Sequence, residues 1–207
     1  LWAWGDNRYG QLGDGTTTTK NTPNQIGTDN NWKIVSGGIF HSIALKTEGS
    51  LWAFGFNTQG QLGDGTLMDK SYPHRIGSEL DWDFISTGSY PTLCLKKNGT
   101  LWAFGKNANG ELSDGTFISK NSPIQIESDT TRKSISGGEQ HSLGLNKDGT
   151  LWARGDNVCG QLGDGTNLKK STPTKIGNSS DWQFISAGAN HSFGIKTDGS
   201  LWTWGWN

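Results

Sequence analysis

Three His-Ser pairs recur in this 207-residue sequence, His41-Ser42, His141-Ser142 and His191-Ser192. Four aspartates, Asp14, Asp64, Asp114 and Asp164, each precede a Gly-Thr dipeptide. Such residues serve three chemistries: a Ser-His-Asp hydrolase, a histidine-bound metal and a carboxylate-bound calcium ion. Each asks for geometry that the spacing opposes. A nucleophilic serine needs its base within hydrogen-bond reach, and neighbours on a strand point to opposite faces. Zinc ligands converge to about 2 Å from one ion, whereas these histidines lie in separate units and the second unit carries Pro91-Thr92 instead. The aspartates lack the ligand spacing of a calcium loop. The expectation is therefore structural: each histidine hydrogen-bonds within its own unit, and each aspartate caps its own turn. No catalytic residue, metal or cofactor is expected, and the GQLGDGT loops lack the lysine and spacing of a phosphate loop.

The elements that must position these residues repeat every fifty residues. Leu-Trp stands at 1–2, 51–52, 101–102, 151–152 and 201–202, with Gly5 and Asn7 recurring in phase. A period in this range marks propellers and arrays. Each unit holds an aromatic strand (LWAWG), an edge-like strand entered through proline (TPNQI), and two strands around a Gly-rich turn (NWKIVSGG and HSIALK). A Gly-containing hairpin then leads to the next Leu-Trp. Four short strands per unit and no helix predict an all-β propeller. It comprises units 1–50, 51–100, 101–150 and 151–200 and the start of a fifth at 201–207. One unit cannot bury both apolar faces, so the recurring Leu, Ile and Trp form a core between stacked units.

What varies between units points to function, because scaffolds place binding residues on loops. Three slots vary: Arg8-Tyr9 and its counterparts, Thr17-Thr18-Thr19 and its counterparts, and Ile39-Phe40 and its counterparts. Tyr9, Phe40, Met68, Tyr90 and Phe117 are large and apolar where a plain loop is polar, and they are the expected anchors for a protein partner. Arg132 and Arg154 join them because each replaces an aromatic residue of the repeat, as a cation–π contact or an exposed polar patch.

Composition sets the remaining bounds. The chain has 18 basic and 19 acidic residues and a net charge of -1, so it lacks the positive field of a nucleic-acid binder. Cys94 and Cys159 occupy different slots and read as free thiols. No apolar run is long enough to span a membrane and no signal peptide opens the chain. A true four-bladed ring would need the Leu-Trp strand once rather than at both ends. Open terminal units are sticky edges that favour self-association.

The pattern LWAWG, N, GQLGDGT, P, I, SGG, HS, AL over the whole chain resembles the repeat of the regulator of chromosome condensation family. The resemblance implies a propeller, usually of seven blades. It spans functions that share a fold and not a reaction: an exchange factor for a small nuclear GTPase that docks on nucleosomes, plant ultraviolet sensors, ubiquitin-ligase accessory domains and bacterial proteins. The regular Thr/Asn/Gly-rich units are most similar to bacterial surface or secreted members, which favours an extracellular or cell-surface location. A non-catalytic protein-binding scaffold is the leading expectation. A regulator of a small GTPase and a structural repeat region of a larger protein are the alternatives.

Overall fold

The structure, a computed structural model, describes residues 1–127 and 130–207. Its seventeen strands fall into five antiparallel sheets. The first pairs β1 (Trp2–Gly5) with β2 (Lys20–Gln25). The second runs β3 (Trp32–Gly37), β4 (His41–Lys46), β5 (Leu51–Gly55) and β6 (Lys70–Ile76). The third runs β7 (Trp82–Thr87), β8 (Pro91–Lys96), β9 (Leu101–Gly105) and β10 (Lys120–Glu127). The fourth runs β11 (Arg132–Gly137), β12 (His141–Asn146), β13 (Leu151–Gly155) and β14 (Lys170–Lys175). The fifth holds β15 (Trp182–Ala187), β16 (His191–Lys196) and β17 (Leu201–Gly205). No helix occurs among the described residues, and so none that could cross a membrane.

The sequence unit and the blade contain the same strands but start at different points. Each four-stranded blade takes its two inner strands from the end of one unit and its two outer strands from the start of the next. The inner strands β3, β7, β11 and β15 lie side by side. Backbone bonds stitch the turns that follow them, from Ile39 N to Ser89 O (3.3 Å), Ser89 N to Gly138 O (3.2 Å) and Glu139 N to Ala189 O (3.2 Å). Pro23, Pro73, Pro123 and Pro173 lie inside β2, β6, β10 and β14 rather than at their entry, and these strands are outermost, where a missing ladder donor costs least.

The core lies between blades. Leu51, Leu62 and Ile76 pack with Trp82, Ile85 and Phe104 of the neighbouring blade, all essentially excluded from water. Burying one such leucine contributes about 2 kcal/mol. Slots of this core at the two ends of the chain are exposed, as Trp4, Val35 and Leu201 show.

A lysine lies between two tryptophans in three blades. Lys46 Nζ sits 4.8 Å from the Trp32 ring and 4.3 Å from Trp52. Lys96 lies between Trp82 and Trp102, and Lys196 between Trp182 and Trp202. The fourth sheet breaks the rule twice. Arg132 stands in the tryptophan slot and Asn146 in the lysine slot. The guanidinium lies 5.5 Å from the Trp152 ring and donates to Asn146 Oδ1 at 2.8 Å. The cation has moved from one side of the stack to the other.

A second paired departure involves Ser113. Gly13, Gly63 and Gly163 have positive φ, and a Cβ at each would meet the ring of Phe54, Phe104 or Trp204 within 3 Å. In the remaining copy the aromatic slot holds Arg154, and Ser113 replaces the glycine while keeping φ at 66°. A non-glycine residue there costs about 1 kcal/mol, and the buried Ser113 hydroxyl finds no partner among the described residues. Ser113→Gly is expected to raise stability by about 1 kcal/mol, measured by urea unfolding.

Candidate functional site

All three variable slots arrive at one end of the blades. The end is built from the ladder outward. His41 pairs with Gly55 across β4 and β5, and the next rung outward joins Phe56 N to Phe40 O at 2.8 Å. The loop of the preceding unit is pinned alongside: Ser42 Oγ donates to Gln11 O (2.8 Å), and Gln11 Oε1 accepts from Tyr9 N (2.9 Å). Each blade thus presents three side chains from slots 9, 40 and 56 of the repeat. In the first full blade they are Tyr9, Phe40 and Phe56, with Tyr9 centred 5.1 Å from Phe40 and 4.8 Å from Phe56. In the next, Lys106 Nζ lies 5.1 Å from the Tyr90 ring, with Gln59 in the third place. Then come Asn109 bonded to Gln140, with Asp156, and finally Cys159, Asn190 and the exposed Trp206.

The remaining slot forms an outer rim on the same end. A buried asparagine holds it there. Asn57 Nδ2 donates to Asp64 Oδ1 (3.0 Å), Thr66 O (3.1 Å) and Met68 O (3.2 Å), while its Oδ1 accepts from Leu62 N (3.0 Å). Asn7, Asn107 and Asn157 make the same set. The rim exposes Leu67, Met68, Phe117, Ile118 and Leu168, with Ile118 and Leu168 each 67% accessible. Successive rim loops touch, as Lys169 Nζ lies 4.9 Å from the Phe117 ring. Such a run of exposed apolar side chains is unusual for a surface that faces only water.

The structure therefore separates the sequence candidates. Met68 and Phe117 are exposed on the rim, and Tyr9, Phe40 and Tyr90 are half-buried on the inner part of the same face. Arg132 and Arg154 are not on it: they are 5% and 2% accessible, fill aromatic slots of the core and present no exposed patch. Slot 56 (Phe56, Lys106, Asp156, Trp206) was missed as part of the face. Its signal was present, as a variable position between the recurring glycine and asparagine.

The chemistry-bearing residues resolve into supports. Asp14 Oδ1 accepts from Thr16 N and Oγ1, and Lys20 lies 3.3 Å from the other oxygen. Asp64, Asp114 and Asp164 repeat this. Burial alone would raise the Asp114 carboxyl, but bonds from Thr116, Lys120 and Asn107 prevail and hold it at about 2. The aspartates cap their turns. His41 and His141 correct the expectation, because each bonds to the next blade rather than within its own. His41 Nε2 meets Thr92 Oγ1 at 3.2 Å and His141 Nε2 meets Ser192 Oγ at 2.9 Å. The reason is that the imidazole lies against Gly38 or Gly138, whose lack of a side chain opens the way across the blade interface. The His141–Ser192 pair has the distance of a catalytic dyad, but both residues are fully buried and Ser192 Oγ is committed to Gln161 O. Cys94 and Cys159 are free.

Solved propellers superpose on this chain. Human WBSCR16 matches with a TM-score of 0.86 at 22% identity, over 99% of this chain and 56% of its own. Yeast RCC1 (Prp20), crystallised with Kap60, matches at 0.85 and 23% identity, over 99% and 51%. A second structure of Prp20p from Saccharomyces cerevisiae, whose study concerns its binding to Gsp1p and histones, matches at 0.80 and 25% identity, over 99% and 53%. The chain spans about half the length of these proteins. No curated protein sequence matches it. The family model for the RCC1-like domain matches residues 1–207 without a gap at either end, and the chain belongs to that family.

Proposed function

We propose that the chain is a non-catalytic protein-binding propeller segment whose partner docks on the variable-loop face. The observation that carries this reading is the convergence of every variable slot on one end, with an exposed aliphatic rim beside a half-buried aromatic cluster. Interface cores are enriched in such residues and depleted in charge, and their centres are aromatic anchors. The Arg8–Asp6 ion pair on the inner part, at 2.9 Å, is solvent-exposed and contributes little. The likeness to yeast Prp20p, studied for its binding to Gsp1p and histones, supports a protein as the ligand class.

The test is a capture experiment with cross-linking and mass spectrometry. It compares the native chain with a variant carrying Leu67→Ser, Met68→Ser, Phe117→Ser and Ile118→Ser. These side chains are exposed, so the variant is expected to unfold within about 1 kcal/mol of the parent. A partner held by the native chain should be lost by tenfold or more. Equal retention by both proteins would remove the rim from the interface. A small GTPase among the captured proteins, with faster nucleotide release on mixing, would favour the exchange-regulator alternative. No specific capture by the folded native chain would favour a structural repeat region.

A further inference from the structure

The second to fifth sheets meet at three junctions, and one set of contacts recurs at each. A backbone N–H of the later blade donates to a serine of the earlier one: Thr87 N to Ser36 Oγ (3.0 Å), Gly137 N to Ser86 Oγ (3.0 Å) and Ala187 N to Ser136 Oγ (2.9 Å). Beside it, Ile85, Ile135 or Ile185 of the later blade packs with Leu51, Leu101 or Leu151 of the earlier one. On the outside, the N–H groups of Gly15, Gly65 and Gly115 donate to the carbonyls of Ser71, Asn121 and Ser171 on the outermost strand of the following blade.

The two ends of the chain carry the halves of one more such junction. At the C-terminal end, Ser186 stands in the slot of the accepting serine. Leu201 is 66% accessible, where Leu51, Leu101 and Leu151 are fully buried. Gly165 holds the outer donor slot, but the fifth sheet has no outermost strand to receive it. At the N-terminal end, Gly37 holds the slot of the backbone donor. Val35 is 55% accessible, where Ile85, Ile135 and Ile185 are 5% accessible or less. Asn21 matches Asn121, whose side chain donates to Gly65 O at 2.9 Å. Ser42 donates to Gln11 O, as Thr92 and Ser192 do to Gln61 O and Gln161 O, but those two also meet a histidine of the preceding blade. The histidine left over in that slot is His191, at the opposite end.

Each group that one end lacks is present on the other at the spacing of the repeat, so the surface that fits one end is the other end of a second copy. We propose that two copies join head to tail at these faces, and that two junctions close them into a ring. A head-to-tail contact closes or runs on without limit according to its rotation. Here one copy spans 51–56% of the propellers it superposes on, so two copies suffice for one turn. The ring has eight blades, six whole and two shared, within the range of propellers. Both β17 and the incoming β1 have the sequence to pair with β16. β17 already does so from Leu201 to Gly205, whereas β1 pairs with β2 alone and exposes Trp2 and Trp4. The incoming β1 therefore yields, and β2 pairs with β17 in the register that β6 keeps with β5. The junction leaves the variable-loop face clear and does not rest on the partner proposed for that face.

Gly37 supplies the sharpest test. A Cβ there meets nothing within 4 Å in the single copy, whereas one at Gly137, its counterpart at a filled junction, would lie 2.6 Å from Gly88 N and 2.8 Å from Thr87 C. Sedimentation equilibrium is expected to show a particle of twice the chain mass at micromolar concentration. Gly37→Leu and Leu201→Asp should each weaken association by about hundredfold or more. Both positions are open in the single copy, so circular dichroism and urea unfolding in dilute solution should match the parent. Mixing the two variants should restore a pair at higher concentration, through the one junction that both leave intact: the C-terminal end of Gly37→Leu against the N-terminal end of Leu201→Asp. The proposal is overturned if the parent stays monomeric up to millimolar concentration, if it forms an open series of larger assemblies, if either variant pairs like the parent, or if the mixture stays monomeric.

Discussion

Replacing Asn57 by alanine is expected to lower stability by about 4 kcal/mol, a loss comparable to that of a large core side chain. The side chain is fully buried and its amide makes four hydrogen bonds that tie residues 62, 64, 66 and 68 to one point. Alanine leaves the Leu62 N–H and the Met68 and Thr66 carbonyls without their partner. Each such loss costs about 1–3 kcal/mol where water cannot enter, less where it can. Asn57→Asp separates this account from one of simple packing. Aspartate has nearly the same volume and keeps the acceptor for Leu62 N, but it offers no donor and sets a carboxylate against Asp64 and two carbonyl oxygens. It should cost at least as much as alanine. Urea unfolding followed by tryptophan fluorescence measures both. A loss below about 1 kcal/mol for either variant would show that the loop is held by other means. The prediction bears on function too, since Asn57 holds the Leu67–Met68 rim, and Met68→Ser should by contrast leave stability nearly unchanged.

The strands, their edge and centre positions and the aspartate turns were legible because a fifty-residue phase displays each slot four times over. Residues with a structural duty recur in phase, and a short polar side chain before Gly-Thr has few conformations open to it. The blade boundary was not legible. Phase alone does not say whether the Leu-Trp strand opens a blade or continues one, because that is decided by strand pairing across the unit junction, as in the Ile43–Ala53 rung. The partner of His41 was hidden for a related reason. It is the hydroxyl one position after the histidine slot of the next unit, 51 residues away, and only the packing of one blade on another brings them together. Arg132 and Asn146 were visible as two departures in one copy. Their meaning required knowing that the two slots face each other across a tryptophan. The variable slots were legible one by one as binding loops. That they share a face with slot 56 follows from the direction of β4 and β5, which the sequence does not display.

Acidification from pH 7 to pH 5 should destabilise the chain by about 4 kcal/mol, well before its carboxylates are protonated. His41 and His141 are fully buried, and burial pushes their pKa values down to about 3 and about 4, with the charge on His191 adding to the shift of His141. The geometry agrees. Thr92 Oγ1 donates to Gln61 O at 3.0 Å and so accepts from His41 Nε2–H, which leaves Nδ1 as the only place for a second proton. There it would face Gly38 with no acceptor among the described residues. The unfolded chain holds these histidines near a pKa of about 6.5. Between that value and the folded values it binds more protons than the folded chain, so stability rises with pH across the window. The contribution is complete above about pH 6.5 and is lost as pH falls toward 4 and 3. At pH 5 each histidine has given up about 2 kcal/mol, a large share of the 5–15 kcal/mol that holds a typical domain. The turn aspartates act lower, because their folded pKa values are depressed and they begin to destabilise only below about pH 5. Unfolding free energies at pH 7, 6 and 5 test this, and His141→Gln, which cannot titrate, should cut the slope about in half. A flat profile between pH 7 and 5 would mean that the blade interface admits the imidazolium, and that the His141–Ser192 bond is not the closed seam that the packing describes.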